Sequence, residues 1–369
     1  MRQRTYFIDR LRVVLTALVV IHHTAITYGG SGGWFYREVT DAGTPSSLLL
    51  TVLCAVNQAF FMGMFFLLAG YFTPGTLARK GPQRFLQERL LRLGVPLLVF
   101  GFVLGPLTAA VAGVARGANA WDQWLTMLSQ GRFIIGPLWF AFALLIFAAA
   151  FTLWQAVRPL ARTTSRPLPS PVSWLVAALG VGAAALTVRQ VVPVGTDVWG
   201  LQLGYFASYI FLFTLGCAAA APRWLEQVDR RHARPWAWLS LAVIPLLFVV
   251  AALSGGLSGR PVNFNGGLSL PAITYAFWEP FVAWGVIAWL LWQFRLRFNR
   301  PSPTWQAWGD RAYGAFIVHA PVIVALAIGL RGWEAPALLK FAVVASSGLV
   351  LSFALAGLLR RLPGARQVL

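Results

Sequence analysis

Charge is scarce in this chain, and acidic charge is scarcest. Of its 369 residues only 11% are charged, 30 of them Lys or Arg and 11 Asp or Glu. Soluble globular proteins carry about 25% charged residues, so a soluble fold is excluded and no soluble domain of any size can be cut out. Cysteine is nearly absent. Cys54 and Cys217 each lie within an apolar run, which leaves no support for a disulfide framework or a zinc site of clustered cysteines, and no metal is expected. The first apolar run ends in "HHTAITYGG" without a convincing small-residue cleavage site, so a cleaved signal peptide is not expected. No internal repeat is visible, which removes the sequence mark of transporters built from inverted halves.

What the chain has instead is long apolar runs. It is 58% hydrophobic with a mean hydropathy of +0.68. Stretches of about 20 residues cross a hydrocarbon core of about 30 Å at about 1.5 Å per residue. Ten spans are predicted, at 11–28, 48–72, 92–113, 134–157, 172–188, 203–221, 236–254, 271–293, 312–330 and 337–359. The expected fold is all-α, a polytopic helical bundle in the lipid bilayer forming one membrane domain over 1–369. The formal charge of +19 is mainly an orientation signal: 23 Lys and Arg fall on the side of the two termini and seven on the other. Cytoplasmic loops are enriched in these residues, so both termini are expected in the cytoplasm. The excess gives no case for nucleic acid. The 17 Trp and 27 Phe suit span faces and interface belts. Segment 158–171 reads as a proline-rich connector, and the outer loop 29–47 is Gly/Ser-rich with a compact aromatic patch.

Ionisable side chains inside such spans are expensive and mark function by default. Residues 9–25 read "DRLRVVLTALVVIHHTA". At about 100° per residue Arg12 and His23 lie about 20° apart in projection, with Asp9 about 40° from His23. One face therefore carries Asp9 and Arg12 at its mouth and His23 about 16 Å further in, with His22 turned about 100° away. The same residues fit a plainer account, as interface charges and histidines satisfied by neighbouring helices.

A second set is "ERLLR", where Glu88 and Arg92 are an i, i+4 pair and Arg89 lies one turn from Arg92. Two guanidinium groups so placed suit a diphosphate, and Lys80 and Arg84 add charge nearby. Contact with anionic lipid explains the same residues. A third set is thinner. His319, Glu279 and Asn57 are polar groups in apolar runs, and read alone each is first a packing or kink feature. Trp139 in "GPLWFAF" is an interfacial anchor or a channel wall.

In this order the pieces resemble the membrane-embedded acyltransferase family 3, whose members O-acylate carbohydrates and other acceptors. The matching stretches are "FIDRLRVVLTALVVIHH", "FFMGMFFLLAGYF", "RFLQERLLRLGVPLL", "GPLWFAFALL" and "AYGAFIVHAPVIV", running from residue 7 to about 324. The resemblance implies that Arg12 and His23 form the family's Arg-x10-His pair, with His23 catalytic. It also implies that Arg89 and Arg92 form its Arg-x-x-Arg pair facing the acyl donor, and that His319 matches a recurrent late histidine. The chain reads "AGYF" where many relatives have Ser before Gly, so no serine nucleophile is assigned. The resemblance ends without the extracytoplasmic esterase-like domain of some relatives, which implies transfer completed in the membrane domain or by a separate protein.

The expected donor is cytoplasmic acyl-CoA, as acetyl-CoA or a similar thioester, with no permanently bound cofactor. Its phosphates would dock on Arg89 and Arg92, helped by Lys80 and Arg84, while the pantetheine arm carries the thioester to His23. His23 then acts as a general base or an acyl carrier. Arg12 holds phosphate or orients the site, with Asp9 paired to Arg12 or Arg10. The acceptor is a hydroxyl-bearing molecule, expected to be a glycan, and the expected location is the bacterial inner membrane. Oligomeric state is not readable. The competing class is a proton-coupled transporter using His23, Glu279 and His319; a non-catalytic scaffold is the third.

Overall fold

The computed structural model describes residues 5–158, 166–258 and 260–369, and among them it contains helices and no strand. The main helices are α1 Tyr6–Thr27, α2 Pro45–Lys80, α3 Pro82–Arg116, α4 Ala120–Ser129, α5 Gly136–Val157, α6 Pro171–Val191, α7 Leu203–Ala219, α8 Arg230–Leu253, α9 Leu270–Arg297, α10 Pro303–Gly329 and α11 Ala337–Leu359. Nine of these described helices are long and apolar enough to cross a membrane. Each of the ten expected spans finds a helix. The sixth is the short one, α7, whose 17 residues reach only about 25 Å. Residues 159–165 of the expected connector lie outside the described residues.

Local chemistry sets the boundaries. The Thr44 hydroxyl accepts the Ser47 amide at 3.2 Å beside Pro45, and Ser170 accepts the Ser173 amide at 3.3 Å beside Pro171. Asn119 caps α4 and Asp229 caps α8 in the same way. A short side-chain acceptor followed by proline is a helix start, because proline's missing N–H costs nothing in the first turn. Between α2 and α3 the chain turns at Gly81, with φ of 76°. The basic segment between the expected spans 48–72 and 92–113 is thus the end of a 36-residue α2 and the start of α3.

Helix α3 contains two wide turns, Leu90–Gly94 and Phe100–Leu104, each just before a proline, Pro96 or Pro106. Proline lacks the N–H that would bond the carbonyl four residues back. For Pro96 that carbonyl belongs to Arg92, and it accepts the Tyr313 hydroxyl at 2.9 Å instead.

The chain divides into two compact units, with boundaries falling inside α1, α2 and α5 and between α9 and α10. Unit 1 comprises residues 5–11, Gln58–Arg79 and the described part of Gln155–Pro301. Its helices pack through small residues. A Cβ on Gly70 would fall 2.1 Å from the Phe213 carbonyl oxygen, and one on Gly216 would fall 2.2 Å from that of Leu67. Only glycine permits this crossing of α2 and α7, the usual device where lipid supplies no hydrophobic drive between helices. Unit 1 also buries an ion pair between Arg189 on α6 and Glu279 on α9.

Unit 2 comprises Arg12–Asn57, Lys80–Trp154 and Ser302–Leu369. Its core gathers Val20, Ile26 and Tyr28 at the end of α1 with Leu50 and Cys54 of α2, Ile323 and Ala327 of α10, and Val344 of α11. Towards the start of α1, Val13 packs with Ala312, Ala315, Phe353 and Ala356. Gly314 lets α10 lie against Ala356 of α11, where a Cβ would come within 2.9 Å.

Candidate active site

His23 lies one turn before the end of α1 and His319 lies mid-way along α10, both in unit 2. Apolar packing of α1 against α10 brings two imidazoles 296 positions apart into contact. His23 Nδ1 is 3.0 Å from His319 Nε2. His319 Nδ1 is in turn 2.6 Å from the carbonyl oxygen of Phe316. His319 is fully buried and His23 half-buried.

For neutral imidazoles these contacts assign the tautomers. A carbonyl oxygen only accepts, so His319 Nδ1 carries a hydrogen, and a neutral imidazole carries one N–H. His319 Nε2 is therefore the acceptor, and His23 Nδ1 donates to it. His23 Nε2 is left with a lone pair. The row from Phe316 oxygen through His319 to His23 thus ends in a Brønsted base whose other edge is already hydrogen-bonded. This is the orienting arrangement that general-base histidines require.

Trp34 covers His23, with ring centroids 3.9 Å apart and planes 13° from parallel. His22 meets His23 edge-on at 5.4 Å and is buried, its carbonyl oxygen accepting the Cys54 thiol at 3.9 Å.

The second set gathers around Arg89. Arg89 is close enough to Arg12 and to Arg92 for their charges to interact. Arg12 and Arg92 are exposed and Arg89 is half-buried, its guanidinium 5.1 Å from the Phe85 ring centroid. Three cations beside one carboxylate, Glu88, keep a positive balance suited to an anion of several charges. Arg92 is held by the Tyr313 hydroxyl on its carbonyl and by Nε donating to the Gln367 carbonyl at 3.4 Å. Glu88 lies beside this group, close enough to act on Arg89. It pairs with Lys80 and, at 3.4 Å, with Arg84, so those two cations are already engaged. Eleven residues of α1, about 16 Å, separate Arg12 from His23.

Asp9 belongs to unit 1 and is half-buried. Glu279, also in unit 1, is paired with Arg189, whose guanidinium also lies over the Tyr275 ring at 4.9 Å. Asn57 is buried on α2, with its amide nitrogen unpartnered among the described residues. Trp139 is half-buried near the start of α5, edge-on to Phe140 at 6.2 Å. Sequence reasoning passed over three residues that support the site. Trp34 stood inside the aromatic patch after a run of glycines. Tyr313 stood in the quoted "AYGAF". Lys340, a single cation near the start of an apolar helix, pairs with Glu38 at 2.6 Å.

The family model for the acyltransferase 3 group, described as an acyltransferase domain, matches residues 5–361. The chain belongs to this family. Among curated proteins it is similar to the "Glucans biosynthesis protein C" of Salmonella gallinarum, 25% identical over 199 residues, covering 51% of this chain and 50% of that protein. The protein of the same name from Escherichia coli K12 is 26% identical over 151 residues, 39% of this chain and 37% of that protein. The one from Salmonella paratyphi B is 26% identical over 203 residues, with 51% and 50% covered. The matches thus span half or less of these relatives' own length. No solved structure matches the chain. With its apolar helices, family membership makes it a multi-pass membrane protein of the acyltransferase 3 family.

Proposed function

We propose that this protein is an O-acyltransferase of the bacterial cytoplasmic membrane, moving a small acyl group from acyl-CoA to a carbohydrate hydroxyl. The observation that carries the reading is the Phe316–His319–His23 row, which in neutral imidazoles leaves a lone pair on His23 Nε2. The arginine group supplies the anion site a CoA donor needs, and the relatives' printed name points to glucans. With both termini in the cytoplasm, the arginines face the donor's compartment and His23 lies towards the acceptor's.

In the transfer, His23 Nε2 takes the proton from the acceptor hydroxyl as its oxygen attacks the thioester carbonyl. The new C–O bond forms, the C–S bond breaks, and the proton passes from His23 to the departing thiolate to give free CoA. As the imidazolium forms, its Nδ1–H stays bonded to His319, so charge develops against an acceptor already in place. Arg89 and Arg92 hold the donor's phosphates, with Arg12 beside them at the start of the helix that carries His23.

The test uses membranes carrying the wild-type or His23→Ala protein, supplied with acetyl-CoA or succinyl-CoA and with envelope glycans from cells lacking the gene. Wild-type membranes release CoA in an acceptor-dependent way, and mass spectrometry finds the added acyl mass on the glycan. Removing a general base lowers the rate by about 10²- to 10⁴-fold. An alanine variant of normal abundance and full activity would rule out His23 as the base.

A further inference from the structure

We infer that Trp34 is a positioning residue for this chemistry, its indole face stabilising the imidazolium that forms when His23 takes up the acceptor's proton. The inference rests on the reading of His23 as the base, and its geometry stands apart from that reading. The indole lies parallel to the imidazole at 3.9 Å, well inside the ~6 Å over which a cation is attracted to an aromatic face. His319 meets the same ring along its edge through Nδ1. One neighbour thus serves the N–H and the other the π face. The indole N–H is buried with no partner among the described residues, so no hydrogen bond accounts for where the ring sits.

The loop is built to hold Trp34 there. Gly29 and Gly32 take φ of 118° and 140°, a region open to glycine and strained for other residues, and this turns the chain back over the end of α1. The Thr27 carbonyl then accepts the amides of Glu38 at 2.8 Å and Val39 at 3.2 Å. Glu38 accepts from Lys340 of α11 at 2.6 Å, a pair with side chains only 15% and 8% exposed. Anchored on both sides of Trp34, the loop fixes the indole before the reaction begins, and a pre-placed group needs no rearrangement as charge appears. The titratable groups facing His23 are His319 from α10 and His22 from its own helix. From the neighbouring elements, the Cys54 thiol is turned to the His22 carbonyl and Glu38 to Lys340. No carboxylate is bonded to His23 among the described residues; its positive charge is met at the ring edge by His319 and the Val19 backbone carbonyl and at the ring face by the indole.

The experiment places tryptophan analogues with one to four ring fluorines at position 34 by site-directed incorporation, beside Trp34→Phe, Trp34→Leu and His23→Ala. Each purified protein is assayed for CoA release from acetyl-CoA with the same envelope glycans. Fluorination keeps the ring's shape and drains its π face. The expected result is a stepwise fall in kcat with fluorine number, reaching about tenfold, with KM for acetyl-CoA within about twofold of wild type. Trp34→Leu falls by about tenfold and Trp34→Phe recovers most of the loss. A flat kcat across the fluorinated series, with His23→Ala inactive, overturns the role of Trp34 and leaves the base in place. Full activity of His23→Ala overturns the reading beneath both. A purely packing role for Trp34 moves abundance or KM and spares the isosteric series. That series therefore decides the matter even where Trp34→Leu fails to accumulate.

Discussion

Replacing His319 with alanine separates a catalytic row from an accidental contact of two buried rings. In the native arrangement His23 Nδ1 donates to His319 Nε2 at 3.0 Å, and His319 is locked by its own bond to the Phe316 carbonyl. As His23 accepts a proton, that first bond becomes charge-assisted. Hydrogen bonds to charged groups contribute about 1.5–3 kcal/mol, and each factor of ten in rate corresponds to about 1.36 kcal/mol. His319→Ala should therefore lower kcat by roughly 10- to 150-fold, with little change in KM for acetyl-CoA. Glutamine can place its amide oxygen near the position of Nε2, so His319→Gln should recover part of the loss. Because the two histidines act as one unit, the double variant with His23→Ala should be no slower than His23→Ala alone. The assay is acceptor-dependent CoA release, normalised to protein in the membrane by immunoblot. His319→Ala at normal abundance and within twofold of wild-type kcat refutes the argument. So does a double variant whose losses multiply.

Two further outcomes follow from the arginine group and its support. Arg89→Ala with Arg92→Ala should raise KM for acetyl-CoA by about 10²- to 10⁴-fold and change kcat less, because each of the two charge-assisted contacts contributes about 1.5–3 kcal/mol to donor binding; steady-state kinetics at varied acetyl-CoA reads this, and an unchanged KM contradicts the donor site. Tyr313→Phe leaves the Arg92 carbonyl without its partner and should cost about 0.5–1.5 kcal/mol of stability. In a Pro96→Ala background, where residue 96 again has an N–H to offer that carbonyl, the same change should cost little. Thermal unfolding of the four proteins in detergent measures the coupling, and equal costs in both backgrounds contradict the account of the wide turn in α3.

The sequence alone determined what depends on neighbours along the chain. Ten apolar runs became ten helices because crossing a hydrocarbon layer needs length and apolarity, both local properties. Thr44 with Pro45 and Ser170 with Pro171 opened helices because capping is settled within one turn. The spacing from Arg12 to His23 was legible because a helix has a fixed period, and the clustering of Arg89 with Arg92 was legible for the same reason. Tertiary structure alone decided which groups from distant segments meet. The pairing of His23 with His319, and with it the assignment of the lone pair to His23 Nε2, depends on how α1 and α10 pack. The stacking of Trp34 depends on glycine turns and an ion pair to α11 that no periodicity encodes. Lys80 and Arg84, read from charge as helpers of the donor site, pair with Glu88, the Lys80 contact depending on the turn at Gly81 that joins α2 to α3. Helix period and hydropathy act over a turn or a span, whereas the positions of imidazole, indole and guanidinium groups in space follow from side-chain packing between segments hundreds of residues apart.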